Sequence, residues 1–439
     1  MKLAEALEAV ADFSATDRLE GLKQHLNPDF IEDALTWSGT TSVRRRRLPA
    51  EQVVWLVIGM ALRRNESIER VADVLGLALP DRRDTLLAKG GIARARKRLT
   101  AEPLAYLFNV TAAEWSARSA DAHRWRGFSV FGMDGTTMRV ADSPENRAAF
   151  GSQKTHRGEA GYPQVRVVAM MALRSHILSG FRMADYHTGE TTLARDIWNE
   201  VPEDSLVIFD RAFLVKKDLV DLETSGNRHW ISRTKSNTTW AIREKLGRDD
   251  YLVEWELKGA GLPTTWTLRA IHYKKKGYPR TTLLTSLLDP ELYPAKEVVA
   301  LYHERWETEI GHDEMKTHML EREETIRSRT PDGVRQELWG IAIAYNLVRL
   351  EMERTAAEAG VSPTRISFVH SLLLVRDELG GMTGPRLPLG TIPKRLQNLR
   401  RNMKRLILPK RRSERVYPRA VKVKMSNYPR KRPSVSRRK

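Results

Sequence analysis

Two aspartates stand where apolar runs end. Asp134 follows FSVFGM, and Asp210 follows SLVIF. An Asp in such a place is ordinarily a turn residue or a helix cap. Here both runs look like buried, central strands. Two carboxylates at the same end of neighbouring strands would repel, and one pKa would rise. A hard divalent cation relieves that cost. A third group lies in LYHERWETEIGHDEMKTHM, residues 301–319. At the turn angle of an α-helix, Tyr302, Arg305, Glu309 and Lys316 fall within a stripe of about 60°. Val299, Trp306 and Ile310 form an adjoining apolar face. A solvated stripe built of ordinary helix ion pairs does not favour a tyrosine and a single acid between two cations. Asp313 is the rival acid on that face.

The elements that must position these groups follow from patterning. Residues 1–120 read as several short helices, at 1–26, 52–63, 65–76, 91–99 and 103–116. Basic patches at Arg44–Arg47 and at Arg94, Arg96, Lys97 and Arg98 suggest a helical DNA-binding domain. From residue 128 the character changes. Strand-like runs at 128–133, 165–173 and 177–186 precede a helix at 192–200. A strand at 206–209, a helix at 214–225 and a strand at 229–233 follow. Three strands, helix, strand, helix, strand is the α/β order of a ribonuclease H-like core. In that core the first and fourth strands are neighbours, so Asp134 and Asp210 would lie close together. Residues 238–287 read as an all-β insertion, with strands at 251–257, 264–272 and 281–287. A long helix at 295–319 and helices at 333–358 and 366–379 end the folded part. The expected domains are 1–120, a catalytic domain of 121–237 and 288–385, the β insertion, and a basic tail at 386–439.

Composition narrows the function classes. The 439-residue chain has no cysteine, which excludes disulfides, thiolate metal sites and a cysteine nucleophile. Zinc is not expected either. His156, His176, His187, His303, His312 and His318 form no i, i+4 pair, and His312 and His318 read as solvent or DNA contacts. The net charge is +19, which favours a polyanionic partner. Residues 391–439 hold nearly all of that excess, with Glu414 as their single acid. Such a tail gains from counterion release on DNA. The best apolar run, 53–62, is about half the length of a membrane span. The N-terminus does not read as a signal peptide. A cytoplasmic, nucleoid-associated protein of a bacterium or archaeon is expected.

The spacing Tyr302-x2-Arg305-x3-Glu309-x6-Lys316 resembles the YREK signature of the IS4 family of DDE transposases. The DGTT after the first strand, FDRAF after the fourth, LLTSLLDPELYP and IRSRTPDGVRQELWGIAIAYNLVR are also similar to that family, as is RRRRLPAEQVVWLVIGMALRR near the N-terminus. The resemblance covers roughly residues 1–380 and implies a triad of Asp134, Asp210 and Glu309. The long separation between the last two is what an inserted β domain would produce. Carboxylate ligands suit Mg2+ or Mn2+. Two such ions about 4 Å apart can stabilise the attacking and leaving oxygens of an in-line displacement at phosphorus.

The resemblance further implies that Tyr302, Arg305 and Lys316 contact DNA phosphates. WISRTKSN resembles the family's Arg-x-Lys pair, which gives Arg233 and Lys235 the same role. The expected partners are double-stranded DNA, as terminal inverted repeats and target, and a second copy of the chain in a synaptic complex. The expected activity is cleavage of the element's ends and joining of the 3′-OH to target DNA, with a hairpin route open. Trp240, Trp255 and Trp266 of the insertion cannot be matched to a base-stacking role and read as core. Two alternatives stand beside this: a ribonuclease H-like nuclease without strand transfer, and a catalytically silent DNA-binding derivative.

Overall fold

A computed structural model describes residues 26–42, 48–77, 87–155, 158–159, 161–235, 238–259, 261–275, 279–320, 325–381 and 391–409. Five helices come first: α1 (Pro28–Trp37), α2 (Ala50–Leu62), α3 (Ile68–Val74), α4 (Lys89–Leu99) and α5 (Glu102–Ala122). The side chain of Asn27 accepts the Asp29 N–H at the start of α1, with Pro28 in the first turn. Next come β1 (Ser129–Val140), α6 (Pro144–Phe150) and a small hairpin of β2 (Lys154–Thr155) and β3 (Gly158–Glu159). Then follow β4 (Gln164–Ala172), β5 (Leu178–Asp185), α7 (Glu190–Trp198), β6 (Ser205–Phe209), α8 (Lys216–Thr224) and β7 (Arg228–Arg233).

These core strands lie in the order β5-β4-β1-β6-β7, with β1, β6 and β7 mutually parallel. The α/β expectation of a ribonuclease H-like core is met. Their apolar runs are buried: every residue of β6 and most of β4 are shielded from solvent. One difference matters. The strand expected at 128–133 runs on to Val140, so Asp134 lies within it. The pairing of β1 with β6 stops at Met133↔Phe209, while the pairing with β4 continues through Asp134↔Ala169 to Arg139↔Gln164. The Thr136–Thr137–Met138 stretch, rich in β-formers, carries that extension.

The inserted strands are β8 (Ala241–Gly247), β9 (Asp250–Glu256), β10 (Thr265–Tyr273) and β11 (Thr281–Thr285). They do not stand apart from the core. β11 pairs antiparallel with β7 through Leu283↔Arg233, and β10, β9 and β8 continue the same sheet. The edge strand β8 has no counterpart in the sequence reading. Its sequence AIREKLG is mostly exposed, so no buried face leaves a pattern to read. Trp266 is buried and stacks on Trp255 at 6.2 Å, and Trp230 and Trp266 both donate to Glu223. The core role read for Trp266 therefore holds.

The helix expected over 295–319 is present but irregular. It consists of α9 (Ala295–Tyr302), a 3₁₀ turn at His303–Arg305, α10 (Trp306–Asp313) and a π turn at Glu314–Met319. A short β12 (Thr325–Ile326) joins β1. Three helices close the described chain: α11 (Pro331–Ala359), α12 (Phe368–Gly381) and α13 (Thr391–Lys404).

α11 is buried along most of its length and organises the helical layer. The N-terminal helices and α11 share one apolar core. α2 is buried on all its faces except at Glu51, so it serves as core. A Cβ on Gly340 of α11 would lie 2.7 Å from Val57 Cγ1 and 2.9 Å from Val57 O. The two helices thus cross with backbone against side chain. Arg64 and Glu337 form a buried ion pair at 3.0 Å beside this crossing. Arg96, expected on a basic surface patch, instead turns inward to Gln336, Ser328 and the Gly333 carbonyl. The patch Arg44–Arg47, the helix read at 1–26 apart from Leu26, and the tail beyond Pro409 lie outside the described residues. Among the described residues no helix is long and apolar enough to cross a membrane.

The crossing at Gly340 yields a prediction. Gly340→Val should destabilise the protein by about 1–3 kcal/mol through overpacking against Val57. A guanidinium titration checks it: the midpoint should fall, and an unmoved midpoint would contradict the close crossing.

Candidate active site

Strand register places three charged groups in a row. Met133 of β1 is level with Phe209 of β6, and Phe209 is level with Ser232 of β7. The next residue along each parallel strand is Asp134, Asp210 and Arg233. Asp210 and Arg233 stand at the carboxyl ends of β6 and β7, where parallel sheets present their ligand-binding edge, and Asp134 lies level with them inside the longer β1. Asp210 caps a short 3₁₀ turn, its carboxylate accepting the Arg211 N–H at 2.7 Å. Asp134 accepts the Gly135 N–H at 2.9 Å.

The irregular helix of Glu309 lies across this row. Two glycines let it approach. A Cβ on Gly132 of β1 would meet Thr308 Cγ2 at 2.4 Å, and one on Gly311 would meet Met171 Cε at 2.7 Å. Glu309 faces Asp134 but is held by Arg305 at 2.8 Å. Lys316 donates to Thr136 Oγ1 at 3.1 Å, two residues beyond Asp134 on β1. Tyr302 lies at the other end, beside Asp210, Tyr273 and Arg233.

The electrostatics follow from burial. Desolvation pushes the Asp134 carboxyl up to about 6 against the help of Gly135 N–H and Arg305, and the charges of Glu309 and Glu190 push the same way. Burial also raises the Tyr302 hydroxyl to about 12, so Tyr302 remains a hydrogen-bond donor at neutral pH. Beside Asp210 opens a cleft of about 260 Å³, lined among others by Arg233, Tyr273, Lys275, Tyr302 and Arg305. It combines cations, phenols and one acid.

The helical face thus brings Tyr302, Arg305 and Glu309 against the two aspartates. Lys316 reaches the Asp134 side, and Arg233 the Asp210 side. Lys235 is exposed beyond β7 and does not line the cleft. Asp313, the rival acid, is bonded to Thr317 and is not part of this group. Three neighbours escaped the sequence reading. Tyr273 comes from β10 through the sheet continuity. Trp306, placed by periodicity on an apolar face, is 44% exposed at the cleft wall. Glu190, first residue of α7, packs so closely on Gly135 that a Cβ there would lie 2.4 Å from its Cδ. His312 corrects an expectation: it is buried, with Nδ1 4.0 Å from Asp134 Oδ2. Burial lowers its pKa to about 4, so it is neutral beside the acid.

Among the described residues, no three His, Asp or Glu side chains stand preassembled around one ion position. The donor chemistry nevertheless fits a hard divalent cation. Asp134 and Asp210 offer oxygen ligands from adjacent strands. The desolvated Asp134 is the kind of carboxylate that a cation would stabilise. Glu309, whose charge acts on Asp134, is bonded to Arg305 through one of its two oxygens.

Comparison with known proteins supplies independent findings. Residues 125–347 match the family described as "Transposase DDE domain". Residues 16–109 match "Insertion element 4 transposase N-terminal". The chain is 35% identical to the transposase InsG for insertion sequence element IS4 of Escherichia coli (strain K12), over 98% of both chains. It is 36% identical to the putative transposase InsZ of the same organism, over 47% of this chain and 69% of that one. A solved piggyBac transposase synaptic complex with hairpin DNA shows a slight likeness, with a TM-score of 0.43 at 12% identity. That likeness covers 91% of this chain and 86% of that one.

The Asp134 environment predicts a pH dependence. Its folded pKa, about 6, exceeds the ordinary 3.8. Its contribution to stability is therefore full below that ordinary value and is lost as pH rises through about 6. Without metal, Asp134→Asn should raise the melting temperature at pH 8 but not at pH 4. Equal shifts at both pH values would contradict a desolvated Asp134.

Proposed function

The chain belongs to the IS4-type DDE transposases, and from that premise we propose that it cleaves the ends of an insertion element and joins them to target DNA. The observation that carries this reading is the strand register that sets Asp134 beside Asp210 under the helix of Glu309. These three carboxylates would hold two Mg2+ or Mn2+ ions. When bound, the ions supply Lewis-acid polarisation of phosphoryl oxygens.

The chain's own residues do the positioning. Arg233 and Tyr302, in the cleft beside Asp210, accept a backbone phosphate on that side. Arg305, between the aspartates and Glu309, neutralises charge that grows on the phosphoryl oxygens. Lys316 holds a phosphate on the Asp134 side, and Lys235 extends the track beyond β7. In the first step a water oxygen bonds to phosphorus and the O3′–P bond breaks. A 3′-OH and a 5′-phosphate result. In the second step that 3′-OH bonds to a target phosphorus and displaces the target's own 3′ oxygen. No covalent protein–DNA bond is needed; a hairpin route adds two displacements before target joining, in which the freed 3′-OH bonds to a phosphorus of the opposite strand and displaces the flanking 3′ oxygen, and water then reopens that bond. Residues 1–120 with the basic tail, 386–439, would hold the terminal repeat, and two copies would pair two ends. The core would comprise 121–237 and 288–385, with 238–287 as the insertion that widens its sheet.

The test uses a labelled terminal repeat taken from the DNA flanking the gene, with Mg2+ or Mn2+ and a target plasmid. Metal-dependent cutting at the repeat boundary and joining to the plasmid are expected, and both should vanish in Glu309→Ala. Cutting without joining would support a nuclease instead. Repeat binding with no cutting by the unaltered protein would indicate a silent derivative.

A further inference from the structure

The helix of Glu309 has a second charged face that the reaction does not use. Glu304, Glu307 and Glu314 point away from the aspartates. Each meets a partner from outside the helix. Arg174 makes a two-pronged pair with Glu304, both contacts at 3.0 Å. His176 Nε2 lies 2.8 Å from Glu307. Glu314 accepts from Arg349 and, at 2.7 Å, from the Tyr345 hydroxyl. Arg349 also donates to His176 Nδ1 at 2.6 Å. That bond leaves the His176 proton on Nε2, aimed at Glu307.

The partners come from two rigid places. Arg174 and His176 belong to the short turn between β4 and β5. Arg349 and Tyr345 belong to α11. His176 holds a φ of 64°, a conformation that a non-glycine residue rarely adopts. The turn is itself fixed to α11, where the Asn346 amide brackets Leu178 by accepting its N–H at 2.8 Å and donating to its carbonyl at 3.0 Å. His176, Glu314 and Arg349 are buried. Breaking a buried charge pair on one side is costly, so such a set resists sliding or rotation of the helix. The π turn begins at Glu314. Within it Glu314 faces Arg349, and Lys316, two residues on, reaches Thr136 on the opposite side.

We propose that Arg174, His176, Arg349 and Tyr345 form a latch that fixes the rotation and axial register of the Glu309 helix. The latch sets where the Glu309 carboxylate meets the aspartates. These are positioning residues, and the proposal rests on Glu309 belonging to the reactive centre. Arg174 and Glu304 are partly exposed, so their pair can be altered without opening the core.

The experiment compares the unaltered protein, Glu309→Gln, Arg174→Ala, the swap Arg174→Glu with Glu304→Arg, and Glu314→Gln. Four quantities are read: melting temperature without metal, its rise on adding Mn2+, terminal-repeat affinity in EDTA, and cutting rate. In Arg174→Ala the metal-free melting temperature and repeat affinity should stay near those of the unaltered protein. The Mn2+-induced rise should shrink and cutting should slow by about tenfold or more, as misplacement of a reacting group does. Glu314→Gln, which takes the carboxylate from buried Arg349, should lower the melting temperature as well as the Mn2+ response and the rate, and the swap should recover most of the rate lost in Arg174→Ala. Unchanged Mn2+ response and rate in Arg174→Ala and Glu314→Gln, while Glu309→Gln loses both, would overturn the latch alone. Losses in Arg174→Ala that merely follow a lowered melting temperature would overturn it too. Normal cutting and Mn2+ response in Glu309→Gln would overturn the reading of the site on which it rests.

Discussion

The parallel pairing of β1 with β6 is the constraint from which the rest of the site follows. It ends at Met133↔Phe209, one residue short of both aspartates. Had the pairing slipped by one residue, every side chain of one strand would have changed face. Burial of Val207, Phe209, Phe131 and Met133 in one apolar cluster fixes that register. The fold thus sets two carboxylates on neighbouring strands, with Asp134 desolvated. A structure serving stability alone would neutralise them with a direct cation. Here Arg305, whose charge acts on Asp134, is bonded to a third acid.

The helix across that edge works because it has two faces with opposite tasks. Its front carries Tyr302, Arg305, Glu309 and Lys316 along the strand ends. Its back carries acids bound to Arg174, His176 and Arg349. Glycines at 132 and 311 let it lie directly on β1 and β4. Close packing, backbone against side chain, leaves little freedom for a 1 Å shift. The 3₁₀ and π turns are local departures from helical regularity, and both fall beside the reactive face.

Much of the core was legible because strands buried on both faces write continuous apolar runs. The strands read at 206–209 and 165–173 stand in the structure as Ser205–Phe209 and Gln164–Ala172. The order of elements then placed Asp134 next to Asp210 without coordinates. The extension of β1 past Asp134 was missed because its far half is polar on one face. β8 was missed because an exposed edge strand has no buried face to encode. Arg96 was read as surface because charge alone does not reveal an inward turn toward Gln336. Tyr273 and Glu190 reach the site through sheet continuity and loop return, which no local spacing records. The back-face acids were in plain view at 304, 307 and 314. Their meaning depended on partners more than a hundred residues earlier and some thirty later.

Asp134, Asp210 and Glu309 would together make one divalent-cation centre. Mn2+ electron paramagnetic resonance on the repeat-bound protein is the test of that assignment. Saturable binding of two ions is expected, with Asp134→Asn, Asp210→Asn and Glu309→Gln each reducing the bound number or weakening the binding. Identical Mn2+ binding in all three variants and the unaltered protein would contradict it.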